Sequence, residues 1–255
     1  MCSSDLAVGA RIQENMLPDT FPAFPDRSEF DIYASMDPAR EVGGDFYDFF
    51  FIDDDHLCII IADVSGKGIP AALFMMAAMI VLKHHAKSGS SPARILTDAN
   101  AAICSHNREQ MFVTAWLGIL EVSTGTLVFA NAGHEYPAVR KPGEKFEMLK
   151  TKHGFVIGGM ENIVYRENEF TMEPGSKLFL YTDGIPESTD ENDVMFGTER
   201  ILEALNADPD AAPEQILKNV SQSVDRFAGG MEQFDDMTML CLEYKGANAE
   251  KGAEK

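Results

Sequence analysis

EVGGDFYDFFFIDDDHLCIIIADVSGKGIP, residues 41–70, contains two apolar runs around an acidic turn and ends on a glycine-rich loop. The runs 46–52 and 57–63 flank Asp53-Asp54-Asp55 and read as a β-hairpin. One run begins behind Asp45 and the other ends on Asp63. Gly43 and Gly44 precede Asp45, so that carboxylate could be a metal ligand, part of a nucleotide-binding turn, or the mark of an ordinary β-bulge. Behind Gly68 an apolar run continues from Ile69 to Leu82, too short to span a bilayer, and is expected to form a buried helix over 69–85. A hairpin that runs directly into a buried helix favours antiparallel sheets covered by helices over alternating βαβ units.

Upstream, residues 30–36 alternate with period two, placing Phe30, Ile32, Ala34 and Met36 on one face of a strand. Before them, Leu6, Ala10, Gln13 and Leu17 share one face of a helical segment that Pro18 ends, and FPAFP at 21–25 is an irregular connector. Downstream, a second helix is expected from a Ser91 cap and Pro92 to about residue 108. Strands are expected at 112–122, 126–131, 163–172 and 177–181, with a weaker pair within 137–150. Helices at 198–206 and 213–227 precede a last strand at 237–244. The fold class expected is α+β, as one domain over residues 20–245, with a helix in 1–19 before it and a disordered tail at 246–255.

Composition narrows the function. A chain of 255 residues with 45% hydrophobic content can bury a sizeable core. A formal charge of −20 repels nucleic acid and anionic membranes, although solubility alone explains much of that acidity. Cys2, Cys58, Cys104 and Cys241 are scattered with no CxxC pair, which argues against a zinc site and against a disulfide framework. Cys58 and Cys241 fall in apolar strand runs as small hydrophobes, and the N terminus has no signal-peptide pattern, so a cytoplasmic location is expected.

The acidic residues share a local grammar. CIIIAD ends on Asp63 and LFLYTD on Asp183, each an apolar strand closing on aspartate before a turn; Asp235 and Asp236 stand immediately before the strand MTMLCLEY. Strand ends deliver such carboxylates to one rim of a sheet, where they would repel unless a cation joined them. An all-oxygen set with no His-x-His, no HExxH and no cysteine nearby selects a hard ion, Mg²⁺ or Mn²⁺, over Zn²⁺, and is sufficient for two of them. The chemistry this points to is phosphate-ester hydrolysis.

VGGDFYD at 42–48, ADVSGKGIPAAL at 62–73, NAGHEYP at 131–137, LYTDGIPES at 180–188, FG at 196–197 and DDMT at 235–238 occur in that order. Together they resemble the PPM-type metal-dependent serine/threonine phosphatases, in the bacterial SpoIIE and RsbU-like branch. The resemblance implies an α-β-β-α sandwich of two antiparallel sheets flanked by helix pairs. It implies that Asp45 and Asp63 hold a pair of Mn²⁺ or Mg²⁺ ions together with the backbone carbonyl of Val64, and that Asp183 and Asp235, in preference to Asp236, complete the set. Arg40 stands where some relatives carry an arginine that grips phosphate, His134 is read as part of a structural loop, and Asp48 as a structural neighbour of Asp45. The helix pair 69–85 and 92–108 corresponds to a switch in that branch. Residues 1–19 resemble its linker helix, which implies an upstream sensor, either a domain of the same protein or a separate protein; the amphipathic pattern of that helix makes it a candidate for a homodimer contact. The implied substrate is a phosphorylated signalling protein, such as a STAS-type anti-sigma factor antagonist.

Two other readings compete. GGD followed by phenylalanine occurs in diguanylate cyclases, but the later motifs follow the phosphatase order. A pseudophosphatase acting as a docking module would keep the fold without turnover, and the presence of all four expected aspartates argues against it.

Overall fold

The structure, a computed structural model, describes residues 3–247. Its elements in chain order are α1 (Ser3–Glu14), β1 (Phe30–Asp37), β2 (Phe46–Phe51), β3 (His56–Val64), α2 (Ile69–Ala86), α3 (Pro92–Cys104), β4 (Val113–Glu121) and β5 (Thr126–Ala132), followed by β6 (Ala138–Arg140), β7 (Glu147–Met148), β8 (Asn168–Thr171), β9 (Lys177–Tyr181), α4 (Gly197–Ala207), α5 (Pro213–Ala228) and β10 (Met237–Tyr244). The strands form two five-stranded sheets, ordered β1-β10-β9-β6-β7 and β2-β3-β4-β5-β8. Every strand pairing within them is antiparallel.

Alternation along the strands produces three apolar layers. Odd positions of β2 and β3, such as Phe49, Ile59 and Ile61, face β1 and β10 residues such as Ile32 and Leu240 between the sheets. Even positions, among them Phe46, Cys58 and Ile60, turn outward and are covered by α2 and α3 through Met75, Met79, Leu82 and Ile95. On the other outer face, Phe179, Tyr181 and Cys241 pack under Ile201, Ile216 and Val220 of α4 and α5. This is the expected α-β-β-α sandwich. Both faces of each sheet are covered, which is why β3 and β9 read as nearly continuous apolar runs.

α2 is long and apolar enough, by length and composition, to cross a membrane. It buries Ala71, Ala72, Met75, Ala78, Met79, Leu82 and Ala86 against the second sheet, as a core helix does. α1 buries Gln13 and half-buries Leu6 and Ala10, the face expected from sequence, and ends at Glu14 ahead of Pro18. Residues 248–255, most of the expected disordered tail, and Cys2 lie outside the described residues.

Three local expectations are corrected. The strand expected over 163–172 pairs only as β8, because the preceding segment lies across α3: the Tyr165 N–H donates to Thr97 Oγ1 at 3.4 Å. From that same segment Glu167 accepts the N–H of Ala93 at 3.3 Å, while Ser91 makes no capping bond with its side chain. The helix expected to reach residue 108 ends at Cys104, because Asn107 takes over the backbone bonding: its Oδ1 accepts from the Met111 N–H at 3.0 Å and its amide donates to the Gly158 carbonyl at 3.1 Å.

Ile60 and Leu180 are each 1% exposed in different layers, whereas Leu73 on α2 is 63% exposed. Ile60→Ala and Leu180→Ala should each cost about 2–5 kcal/mol in urea unfolding, and Leu73→Ala within about 0.5 kcal/mol of zero.

Candidate metal centre

Antiparallel register gathers the strand-end acids on one rim. Phe46 lies opposite Ala62, so Asp45, just before β2, meets Asp63 near the end of β3. In the other sheet Met239 lies opposite Tyr181, so Asp183, two residues past β9, shares the rim with Asp235, two residues before β10. The two sheets meet here through Thr182, whose hydroxyl donates to Asp45 Oδ2 at 2.7 Å and accepts the Thr238 N–H at 3.0 Å.

Burial makes these carboxylates expensive to ionise. Asp45 is 2% exposed, and desolvation, followed by the charge of Asp63, raises its pKa well above the carboxylate range despite the Thr182 bond. Asp63 is pushed up to about 8 by burial and then by Asp183, against the lowering effect of its contact with Asp45. Asp183 is pushed up to about 6 by burial, then by Glu187 and Asp235.

The glycines of this region supply space. A Cβ on Gly44 would come 2.9 Å from the Val64 carbonyl oxygen, one on Gly43 would meet Asp236 Oδ2 at 2.5 Å, and one on Gly184 would meet the Asp236 carbonyl oxygen at 2.0 Å. The GGD pair therefore lets two backbone segments and a carboxylate close on one another. Asp236 itself is committed to backbone. Its carboxylate accepts the N–H of Ala39 at 2.8 Å and of Gly44 at 2.7 Å, which clamps the segment that carries Asp45.

A second clamp comes from α1. Gln13, 5% exposed, donates its side-chain amide to the Gly43 carbonyl at 2.6 Å and accepts the Gly43 N–H at 3.1 Å. This pairing, like the Thr182 bond, joins residues far apart in the chain, and only a pattern of paired side-chain and backbone partners in three dimensions could have shown it.

The remaining expected residues fall around the rim. Val64 closes β3 with its carbonyl beside Gly44. Arg40 is exposed, with Nη1 3.9 Å from where a Cβ on Gly68 would stand. His134 is buried with Nδ1 2.9 Å from the Thr114 hydroxyl, and desolvation pulls its pKa down to about 4, so it is neutral near pH 7. Asn131 shapes its loop by accepting the His134 N–H at 2.8 Å. Asp48 points to the helical side, paired with Lys83 of α2 at 2.8 Å.

Among the described residues, no three acidic, histidine or cysteine side chains are gathered closely enough to hold an ion as they stand. Asp235 is turned to Lys67, whose Nζ lies 2.8 Å from its Oδ2. The donor chemistry nevertheless fits a hard cation: the carboxylates of Asp45, Asp63 and Asp183 are held near one another with raised pKa, and the Val64 carbonyl lies within reach of the same loop.

The family model described as Stage II sporulation protein E (SpoIIE) matches residues 53–245. Protein IcfG of Synechocystis sp. is 32% identical over 266 residues, covering 93% of this chain and 41% of that protein, so the chain spans under half of this relative's length. Phosphoserine phosphatase RsbU of Bacillus subtilis is 27% identical over 244 residues, covering 95% of this chain and 70% of that protein. Among solved structures, the SiaA-PP2C domain of Pseudomonas aeruginosa superposes with a TM-score of 0.83 at 26% identity, covering 94% of this chain and 96% of that one.

Three measurements of stability test this arrangement. Asp236→Asn would aim an amide donor at backbone N–H groups and should cost about 1–3 kcal/mol, whereas Asp235→Asn should cost less than about 1 kcal/mol. The folded pKa of Asp63 lies above its ordinary value of 3.8, so the folded chain holds a proton that the unfolded chain has released, and stability without cation should fall as pH rises from about 4 to about 8. Added Mn²⁺ should raise the melting temperature more at pH 8 than at pH 6, because protons compete for the same oxygens. A shift that is equal at both values would contradict the assignment.

Proposed function

Because the chain belongs to the SpoIIE family of PPM-type, metal-dependent serine/threonine phosphatases, we propose that its rim of strand-end aspartates hydrolyses phosphoserine or phosphothreonine esters on a signalling protein. The observation that carries this reading is the convergence of Asp45, Asp63 and Asp183, with raised pKa, at the junction of the two sheets. Asp45, Asp63, Asp183, Asp235 and the Val64 carbonyl would hold two divalent cations, Mn²⁺ or Mg²⁺. When bound, such ions make water acidic enough to attack near neutral pH and neutralise the phosphoryl oxygens.

The chain's own residues have separate tasks. Thr182 orients Asp45 by donating to one carboxylate oxygen, which leaves the other for the site. Asp236 and Gln13 hold the 39–45 segment from two sides, so that Asp45 does not retreat from Asp63 under mutual repulsion. Arg40, exposed at the rim, would meet the phosphate of the incoming protein. His134, neutral and buried, supports the loop and transfers no proton.

The curated name of RsbU, phosphoserine phosphatase, supports a phosphoserine substrate. We read that substrate as a STAS-type anti-sigma factor antagonist or a similar small regulator, with activity governed by an upstream sensor. Val8 and Ile12 expose 45% and 50% of their surface on α1, which supports dimerisation through that helix. The free thiols Cys58, Cys104 and Cys241 support a reducing, cytoplasmic setting.

A phosphoserine peptide assay with added Mn²⁺ tests the reading. Turnover should require the cation, and Asp63→Asn and Asp183→Asn should each lower kcat by about 100-fold or more. Cation-independent turnover, or full activity in both variants, would sink it, and tight binding of a phosphoprotein without turnover would favour a docking module.

A further inference from the structure

Lys67 occupies a position that none of the roles above explains. It sits in the loop between β3 and α2, and flanking Gly66 and Gly68, at φ 88° and 71°, turn that loop so that the side chain runs back over the rim. Its Nζ lies 2.8 Å from Asp235 Oδ2, 2.5 Å from the Phe234 carbonyl oxygen and 3.5 Å from the centroid of the Phe234 ring. All three contacts fall on the two residues that lead toward β10. Phe234 is 74% exposed, so packing in the core does not account for the aromatic ring there. The ion pair is itself partly exposed, at 25% for Lys67 and 27% for Asp235, and pairs of that kind add little to stability.

We propose that Lys67 is a positioning residue that holds Asp235 when no ion is bound and competes with a divalent cation for that carboxylate, so that its charge sets the cation concentration at which the site fills. The inference rests on the reading of Asp235 as a cation ligand. An ammonium in contact with one carboxylate oxygen neutralises the charge that would attract the ion and repels the ion directly. The carbonyl and the ring hold the ammonium in place. Binding of the ion at Asp235 therefore requires Lys67 to give up the carboxylate.

Titration calorimetry of Mn²⁺ into the full chain tests this. Lys67→Gln should bind Mn²⁺ about five- to tenfold more tightly than wild type, and Lys67→Arg should stay within about twofold of it. Asp235→Asn should bind more weakly. An unchanged or weakened affinity in Lys67→Gln, with Asp235→Asn weakened, overturns the inference and leaves the proposed function standing. Wild-type affinity in Asp235→Asn instead removes Asp235 from the ligand set and overturns that part of the functional reading. Should Lys67→Gln fail to fold, Phe234→Leu removes the ring but keeps the carbonyl. It should tighten Mn²⁺ binding about twofold, and no change or a loosening there counts against the proposal.

Discussion

The bond from Thr182 to the buried carboxylate of Asp45 is the point on which the site depends. It joins the end of β9 in one sheet to the start of β2 in the other, across an interface otherwise filled by aliphatic and aromatic side chains. A carboxylate buried to that degree is tolerated only when its oxygens are satisfied. The requirement propagates outward. Gly43 and Gly44 are small because Asp236 and the Val64 carbonyl must approach their loop, Gly184 because the Asp236 carbonyl passes close to it, and Gln13 and Asp236 take up the backbone groups of the 43–44 loop. Replacing any one of these groups would leave a polar atom buried without a partner or press a Cβ against a neighbouring oxygen.

The surrounding layers are conventional by comparison. Three apolar clusters hold two sheets and two helix pairs together, and their energetics are those of any well-packed core. The rim opposes them. Asp45, Asp63 and Asp183 pay in desolvation for being held close together, and the folded sandwich carries that cost because its core keeps their strands in register. Lys67 offsets part of the same charge from outside the cluster, at Asp235. The opposition between core and rim leaves three carboxylates with raised pKa at the junction of the two sheets.

Much of the fold was legible in the sequence because its signals are local. The 30–36 alternation, the hairpin around Asp53-Asp54-Asp55 and the run ending at Tyr181 all became strands, since period-two burial in the first and short continuous apolar runs beside turn residues in the others are written in neighbouring residues. Ser91 reads as a helix cap by the same logic, yet Glu167, 76 residues ahead of it in the chain, donates no such local signal and takes the role by packing across α3. The aspartates that end or precede apolar strands could be singled out by position alone. What each carboxylate does could not. Asp235 and Asp236 are adjacent and chemically identical, and only the placement of the Ala39 and Gly44 amides sends one of them to the backbone and leaves the other to Lys67.

The sequence by itself determined most element types, the antiparallel α+β class and the short list of acids, because hydrophobic periodicity and strand-end aspartates are properties of the chain taken a few residues at a time. The tertiary structure alone decided the rest. It brought Gln13 onto Gly43, Thr182 onto Asp45 and Lys67 onto Asp235, contacts between segments that share no sequence pattern. Their physical reason is long-range: a buried polar group takes whichever partner the register of two sheets brings within hydrogen-bonding distance, and that register is set by the whole core rather than by any neighbouring residue.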